Sequence, residues 1–277
     1  DRGAPLRLGP GPTEGACFGI AIRRLESTPV SLAEKSVLVV GAGGLGGPAL
    51  LALGAAGVGR LALVDDDAVE TSNLNRQPLY GEADLGARKA VAAARRLQRL
   101  YPGARVEAHD RRFDADSAMD LVLAADVVLD GSDNFATKFL LSDAAVMAGR
   151  PLVHAGVLRY TAQLLTVMPG RTGCLRCLFE EPPPEGSVPS CAEAGVLGPL
   201  AGMAGALQAG EALRLLAGER GAYAGRLVIF EARPARTRVV VVRRRPGCPA
   251  CEGRQPLGSS RAAACEVERS KERGGGP

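Results

Sequence analysis

Tryptophan is absent from this 277-residue sequence, and only ten residues are phenylalanine or tyrosine, so aromatic stacking is not expected as a means of recognition. Basic and acidic residues nearly balance, with 34 Lys+Arg against 30 Asp+Glu, an excess too small to predict a nucleic-acid or membrane surface. Apolar runs are broken by glycine or charge well before the roughly 20 residues of a membrane span. Lysine is scarce, occurring only at Lys35, Lys89, Lys138 and Lys271, so a lysine in a chemically sensitive place stands out.

The remaining composition, 46% hydrophobic and 23% charged, is that of a soluble globular protein, and the length suits one large α/β domain. The seven cysteines are an odd number and cannot all pair within one chain. No secretory signal is recognisable near the first residue. These features predict a reduced, cytoplasmic protein.

Strand and helix patterns alternate between two irregular ends. The pattern predicts an α/β fold, a Rossmann-like open twisted sheet that is mostly parallel, with helices on both faces and antiparallel late strands. Strands are predicted at 36–40, 61–64, 105–108, 127–129, 152–155, 163–168, 227–230 and 237–242, and helices at 47–58, 84–100, from about 135, and at 196–217. We expect an atypical N-terminal segment at 1–35, the main domain at 36–251 and a disordered tail at 252–277.

A glycine-rich turn, Gly41-Ala42-Gly43-Gly44-Leu45-Gly46, joins the first strand to the first helix. Glycines at such a turn let backbone N–H groups approach a phosphate, and the helix N-terminus adds positive potential. Asp65 ends the next strand, 19 residues after Gly46, where a carboxylate can accept ribose hydroxyls. These residues predict a nucleotide site, and by themselves they favour an NAD-binding oxidoreductase.

Polar residues farther along favour a nucleoside triphosphate. The Arg76 guanidinium can donate to two phosphate oxygens at once, and the Lys89 ammonium adds a positive charge for the phosphates. Asp133 can hold Mg²⁺ at a strand end. A dehydrogenase has no evident need for this set, although each residue alone also fits a structural role, as Asp133 fits a helix N-cap. Together they converge on the carboxyl ends of parallel strands, where α/β sheets bind ligands.

Five segments in order resemble the E1-like (ThiF/MoeB/HesA) adenylyltransferases of sulfur transfer, such as the molybdopterin-synthase and thiamine-pathway sulfur-carrier adenylyltransferases. They are GAGGLGGP, LVDDDAVETSNLNRQ, Lys89, DGSDN and SCAEAGVLGPLAGMAGALQAGEALRLLAG, within about residues 36–251. The resemblance implies a homodimer that uses ATP and Mg²⁺ to activate a small ubiquitin-like sulfur-carrier protein ending in Gly-Gly.

The resemblance also implies roles for individual residues. The nucleotide-binding set is Gly41, Gly43, Gly44, Asp65, Asp67, Ser72, Asn73, Arg76, Gln77, Lys89, Asp133 and Asn134, of which Arg76, Lys89 and Asp133 are catalytic. A separate sulfur donor is expected, because the 26 residues after Cys251 are too short and polar for a further domain.

Two Cys-x-x-Cys pairs, Cys174/Cys177 and Cys248/Cys251, are separated by 70 residues. Each pair can form a tight turn that presents two thiolates, and the two pairs together supply the four thiolates of a tetrahedral Zn²⁺ site. Two redox dithiols or two disulfides are the alternatives. Four protein ligands leave no open position, so the predicted zinc site is structural.

Cys191 follows a proline-rich segment that is predicted to form a crossover loop able to cover the nucleotide site. A thiol with a lowered pKa at this place can accept the activated acyl group or carry sulfur. A partly buried structural cysteine is the alternative. The only two histidines, His109 and His154, form no cluster, and His154 is interpreted as a hydrogen-bonded strand residue.

The N-terminus departs from the family pattern. Members usually carry a Tyr-x-Arg-Gln segment whose arginine reaches the phosphates of the neighbouring subunit, but Cys17 and Phe18 stand at that place here. Arg23 and Arg24 are near but match no motif. A noncatalytic nucleotide-binding E1-like scaffold therefore stays open as a third hypothesis.

Overall fold

The computed structural model describes residues 31–184, 186–189, 191–253 and 257. Cys17, Phe18 and the tail beyond residue 257 lie outside the described residues, so the predictions for the two terminal segments are not addressed by the structure.

Eight strands form one sheet in the order β3-β2-β1-β4-β5-β6-β7-β8. The strands are β1 (Ser36–Val40), β2 (Arg60–Val64), β3 (Arg105–His109), β4 (Val127–Asp130), β5 (Leu152–Leu158), β6 (Thr161–Val167), β7 (Arg226–Glu231) and β8 (Arg236–Val241). The first five strands run parallel, and β6, β7 and β8 are antiparallel to their neighbours. This confirms the predicted sheet.

Seven α-helices occur in the described part of the chain. They are α1 (Gly46–Ala55), α2 (Lys89–Leu100), α3 (Ala115–Leu123), α4 (Phe135–Met147), α5 (Leu175–Leu178), α6 (Cys191–Ala194) and α7 (Gly198–Leu216). The prediction that a helix starts at residue 84 is wrong, because Gly86 has a φ of +78° and Arg88 is extended, so α2 begins at Lys89. No helix of these residues is both long and apolar enough to cross a membrane.

Strand side chains alternate between two apolar layers, as expected for a sheet covered on both faces. Val37 and Val39 belong to the layer that packs against α1, α2 and α7. Leu38 and Val40 point to the opposite layer, which contains residues of α3 and α4. Helices on both faces are therefore confirmed.

The strand order reverses between β1 and β4, since the chain continues from β1 toward β2 on one side and from β4 toward β5 on the other. Such a switch point opens a crevice at the carboxyl ends of the strands. Gly41 follows β1 there with a φ of +89°, and a Cβ atom on it would lie 2.6 Å from the carbonyl oxygen of Gly131, which follows β4. Only glycine fits this close approach.

Candidate active site

A cavity of about 660 Å³ opens at this crevice. Nine residues of the predicted nucleotide-binding set line it, namely Gly41, Gly43, Gly44, Asp65, Asp67, Arg76, Gln77, Lys89 and Asp133. A second cavity of about 230 Å³ adjoins it, shares Asp65 and Asp133, and includes Asn134. Ser72 and Asn73 line neither cavity.

Asp65 fastens the glycine-rich loop to the end of β2. Its Oδ2 accepts the Ala42 N–H at 2.8 Å, and its Oδ1 accepts the Asp67 N–H at 2.9 Å. Burial raises the pKa of the Asp65 carboxyl, while these two hydrogen bonds favour the ionised form. The carboxylate lines both cavities beside the loop, at the place where a ribose contact is predicted.

Tyr80 supports the same loop, although no motif pointed to it. Its buried hydroxyl donates to the Ala42 carbonyl oxygen at 2.9 Å and lies 3.3 Å from the Lys89 carbonyl oxygen. Tyr80 therefore ties the glycine-rich loop to the first residue of α2.

Ser72 and Asn73 do not line the cavity, but they form the turn that precedes Arg76. Arg76 Nη1 donates to the carbonyl oxygen of Ser72 at 2.7 Å. Asn73 is buried and accepts the Glu70 N–H through Oδ1 at 3.2 Å, which shapes the short 3-10 turn at Thr71–Asn73. The Ser72 carbonyl therefore holds the Arg76 guanidinium, and Asn73 shapes the turn that precedes Arg76.

Lys89 is buried, yet its ammonium reaches the cavity. Lys89 Nζ donates to Asp67 Oδ2 at 2.8 Å, and the Lys89 amide donates to the Asp67 carbonyl oxygen at 2.9 Å. The late start of α2 places this lysine at the carboxyl edge of the sheet, next to the aspartates that end β2.

Asp133 and Asn134 differ in what they do. Asn134, not Asp133, is the N-cap of α4, and its side chain accepts the Thr137 N–H at 2.9 Å. Asp133 is exposed, and its carboxylate has no hydrogen-bond or ion-pair partner among the described residues. The Asp133 oxygens are therefore available to a ligand in either cavity.

A buried ionic network at the ends of β4 and β5 was not predicted. Asp130 Oδ2 lies 2.6 Å from His154 Nδ1 and 3.2 Å from Lys138 Nζ. Burial by itself would raise the pKa of Asp130, but the Lys138 ammonium and the hydrogen bonds from His154 and Ser132 outweigh it and hold that pKa well below its usual range. The interpretation of His154 as a hydrogen-bonded strand residue is confirmed, and its ring also lines the larger cavity.

Apolar side chains line the other part of this cavity. Phe135 and Phe139 of α4 face it together with Phe179, which follows α5, and with Val188 and Pro189 of the proline-rich segment at 181–190. The predicted crossover loop therefore contributes to the wall of the site. Cys191 begins α6 directly after it, and nothing is described of its side chain.

The two cysteine pairs come together as predicted. All four sulfur atoms lie within 4.8 Å of one another, at separations such as 3.7 Å between Cys174 and Cys248 and 3.6 Å between Cys177 and Cys251. The four thiols are free, so the disulfide alternative is wrong. A tetrahedral metal with bonds of about 2.3 Å to sulfur separates its ligands by about 3.8 Å. These cysteines can therefore hold one metal ion.

An ion pair connects this cysteine cluster to α4. Arg176, between Cys174 and Cys177, donates from Nε to Asp143 Oδ1 at 2.9 Å and from Nη2 to Asp143 Oδ2 at 2.9 Å. Both side chains are buried. Since α4 begins beside Asp133, the cysteine cluster is joined mechanically to one wall of the active-site cavity.

Residues 26–250 match the ThiF family model, and the chain belongs to the ThiF family. The sulfur carrier protein adenylyltransferase of Thermus thermophilus is 48% identical over 225 residues, 79% of this chain and 83% of that one. The SAMP-activating enzyme E1 of Haloferax volcanii is 45% identical over 220 residues, 79% of this chain and 81% of that one. These relatives confirm the resemblance that the motifs predicted.

The adenylyltransferase and sulfurtransferase MOCS3 of Bos taurus is 49% identical over 226 residues, 81% of this chain and 50% of its own length. The chain thus spans about half of that relative. Among solved structures, E. coli MccB with ATP matches with a TM-score of 0.71 at 22% identity, over 80% of this chain and 67% of that one. At this identity the likeness supports the Rossmann-like fold alone.

Proposed function

We propose that the chain catalyses the ATP-dependent adenylation of the C-terminal glycine of a small ubiquitin-like sulfur-carrier protein, for molybdopterin, thiamine or related sulfur transfer. One observation carries the proposal. Arg76, Lys89 and Asp133, from three separate segments, line one cavity with the glycine-rich loop. The Thermus thermophilus relative is named as an adenylyltransferase of a sulfur carrier protein, which supports the same class of reaction.

The carrier's terminal carboxylate attacks the α-phosphorus of ATP in line. A bond forms between the carboxylate oxygen and phosphorus, the bond to the bridging oxygen breaks, and pyrophosphate leaves with that electron pair. The amides of the glycine-rich loop face the phosphates, while Arg76 and Lys89 stabilise the negative charge that develops on them. Positioning and fixed charge supply most of the acceleration, because no proton has to move.

Mg²⁺ fits the site at Asp133, whose exposed carboxylate has no competing partner in the described part of the chain. A Mg²⁺ ion bound there would neutralise charge on the phosphates and on the leaving pyrophosphate. Asp133 would be the main protein ligand of this ion.

Zn²⁺ fits the four cysteines, because thiolates at tetrahedral separations are its preferred structural ligands. With four protein ligands the metal has no open position, so its role is structural. A bound metal would fix the position of Arg176, and through Asp143 the position of α4.

Cys191 is proposed as a thiol that receives the activated acyl group, because it follows the loop that lines the cavity. In that step the thiol loses its proton and its sulfur bonds to the acyl carbon, while the bond from that carbon to the phosphate oxygen breaks and AMP leaves with that electron pair. A cytoplasmic homodimer with a separate sulfur donor completes the proposal. Light scattering of the purified chain tests the dimer, and full sulfur transfer by Cys191→Ala would reject the thiol role.

The adenylation is tested by ATP–pyrophosphate exchange with a carrier protein that ends in Gly-Gly. We expect exchange with this carrier, none when its final glycine is removed, and a loss of about 100-fold or more in Arg76→Ala. Arg99→Ala, on the exposed face of α2, is the matched control. Exchange with no candidate carrier would favour the noncatalytic scaffold.

The NAD-binding alternative is tested with a thermal melt, because only a true ligand raises the melting temperature by mass action. We expect protection by ATP with Mg²⁺ and none by NAD. Protection by NAD and none by ATP with Mg²⁺ would instead support the NAD-binding oxidoreductase.

A further inference from the structure

His154 lies on the same edge of the sheet as the glycine-rich loop. In the strand register, Val40 of β1 pairs with Asp130 of β4, and Asp130 pairs with His154 of β5. These three residues therefore form a row across neighbouring strands at the carboxyl edge of the sheet. With strands about 4.8 Å apart, His154 lies about 10 Å from the end of β1, where the glycine-rich loop starts.

The imidazole is held by a carboxylate on one side and lines the cavity on the other. Its Nδ1 lies 2.6 Å from Asp130 Oδ2, and Asp130 is fully buried and ionised. An ionised carboxylate only accepts hydrogen bonds, so Nδ1 carries the proton and donates it. In the neutral ring Nε2 then has a lone pair, and it is the nitrogen left for a ligand in the cavity.

The Lys138 ammonium balances the negative charge of Asp130. Its Nζ donates to the Ser132 carbonyl oxygen at 2.7 Å and to the Ala155 carbonyl oxygen at 2.8 Å, besides its contacts with Asp130. The Asp130–Lys138 pair is neutral as a whole. Burial lowers the pKa of His154, and Lys138 acts in the same direction against the opposing effect of Asp130. The resting imidazole is thus neutral and able to accept a proton.

Adenylation itself needs no base, but the step that consumes the acyl-adenylate does when the nucleophile is a thiol. We propose that His154, held by Asp130, is the general base that deprotonates a thiol or persulfide sulfur as this sulfur attacks the acyl-adenylate. This rests on the proposed function. An aspartate that orients a histidine and stabilises the imidazolium is an established arrangement for such proton transfer.

The step is balanced without an oxidant or a reductant. His154 Nε2 takes the proton of the S–H group, and the sulfur forms a bond to the acyl carbon. The bond from that carbon to the phosphate oxygen breaks, and AMP leaves with its electron pair. The product is a thioester from a thiol or an acyl disulfide from a persulfide, and the imidazolium returns its proton to solvent.

The test starts from preformed acyl-adenylate. The Cys191→Ala protein is loaded with ATP, Mg²⁺ and a Gly-Gly carrier, pyrophosphatase removes pyrophosphate, and AMP release is followed after dithiothreitol or hydroxylamine is added. Hydroxylamine is already a free nucleophile and needs no proton removed before it attacks. In His154→Asn the amide can still donate to Asp130 but has no nitrogen at the Nε2 position. His109→Asn, the other histidine, is the control.

We expect His154→Asn to lower the ratio of the dithiothreitol rate to the hydroxylamine rate by about 100-fold or more, and His109→Asn to leave it unchanged. Both rates start from the same adenylate, so any effect on its formation cancels. An unchanged ratio in His154→Asn would overturn the proposal and leave adenylation intact. Absence of adenylate in the parent protein would overturn the proposed function as well.

A second readout does not depend on the variant folding. With a series of thiols of rising pKa, the parent protein should release AMP at a nearly constant rate, because the base removes the proton during attack. A rate that falls steadily as the thiol pKa rises, as expected when only the thiolate fraction attacks, would show that no base acts. The intact Cys191 protein, without added thiol, then tells whether Cys191 or an external donor supplies the sulfur.

Discussion

Lys89 and Asp67 form an ion pair of unequal burial: the Lys89 side chain is 6% exposed and that of Asp67 is 63% exposed, with 2.8 Å between Nζ and Oδ2. The ammonium is thus fixed by the protein interior, while its partner is solvated. Such a pair keeps the Lys89 ammonium in place at the cavity. Under the proposed function a phosphate would bind the same ammonium, and the solvated Asp67 carboxylate would lose little hydration.

Lys89→Met should therefore separate activity from stability. We expect ATP–pyrophosphate exchange to fall about 100-fold or more, because a cation beside the phosphates is lost. The free energy of unfolding should change by less than about 1 kcal/mol, since water can solvate the exposed Asp67 carboxylate. Lys35→Met, at the opposite end of β1, is the control. Normal exchange in Lys89→Met would remove this lysine from the mechanism.

The cysteine cluster predicts about one zinc ion per chain from its four ligands. Cys248→Ser removes a fully buried cysteine of the cluster, so this variant should lose the metal and have a lower melting temperature. Cys265→Ser, outside the described residues, is the control and should change neither. Metal analysis and melting curves measure both effects. Purified protein with no metal and four free, reactive thiols would contradict the zinc assignment.

The Arg176–Asp143 pair predicts a non-additive effect of mutations. Arg176→Met leaves a buried carboxylate without its bidentate partner and should cost about 3–5 kcal/mol of unfolding free energy. The double variant Arg176→Met/Asp143→Leu should regain most of that loss, because no unpaired charge remains. Urea unfolding of the single and double variants measures the coupling. Simple additivity would mean that the two residues do not stabilise each other.

The lowered pKa of Asp130 predicts how the stability of the fold changes in acid. This pKa lies below the value of about 4 for an unfolded aspartate, so ionised Asp130 stabilises the fold above about pH 4. This contribution is lost as the pH falls below about 4 toward the folded-state pKa. Asp130→Asn should be less stable at pH 7, and its difference from the parent protein should shrink below pH 4.

Urea unfolding at several pH values measures this convergence. Asp120→Asn, on the exposed face of α3, should follow the parent protein at every pH. A constant difference between Asp130→Asn and the parent would show that the Asp130 charge is not linked to folding.

Much of the fold could be predicted because the central strands β1, β2 and β4 each contain an unbroken run of three or four buried apolar residues. Helix α3 was missed, although Asp114 caps it by accepting the Ser117 N–H at 2.9 Å, a cap signal that the sequence contains. The start of α2 was placed too early because the left-handed Gly86 interrupts a helical pattern that is otherwise continuous.

Residues of the site that belong to contiguous motifs, such as Asp65 and Arg76, could be predicted from order and spacing. The Asp130–Lys138–His154 network could not, because it depends on the register between β4 and β5, which only tertiary pairing sets. The scarcity of lysine was the one signal that could have drawn attention to Lys138.

The row of Val40, Asp130 and His154 also has a consequence for folding. Its members come from distant parts of the chain and meet only after three parallel strands have paired through crossovers. Contacts so distant in sequence form late and cooperatively. A fragment that ends before β4 lacks Asp133 and the Gly131 carbonyl that packs against Gly41, so we expect its nucleotide site to be incomplete. If the proposed function holds, a bound nucleotide would stabilise the folded sheet as a whole.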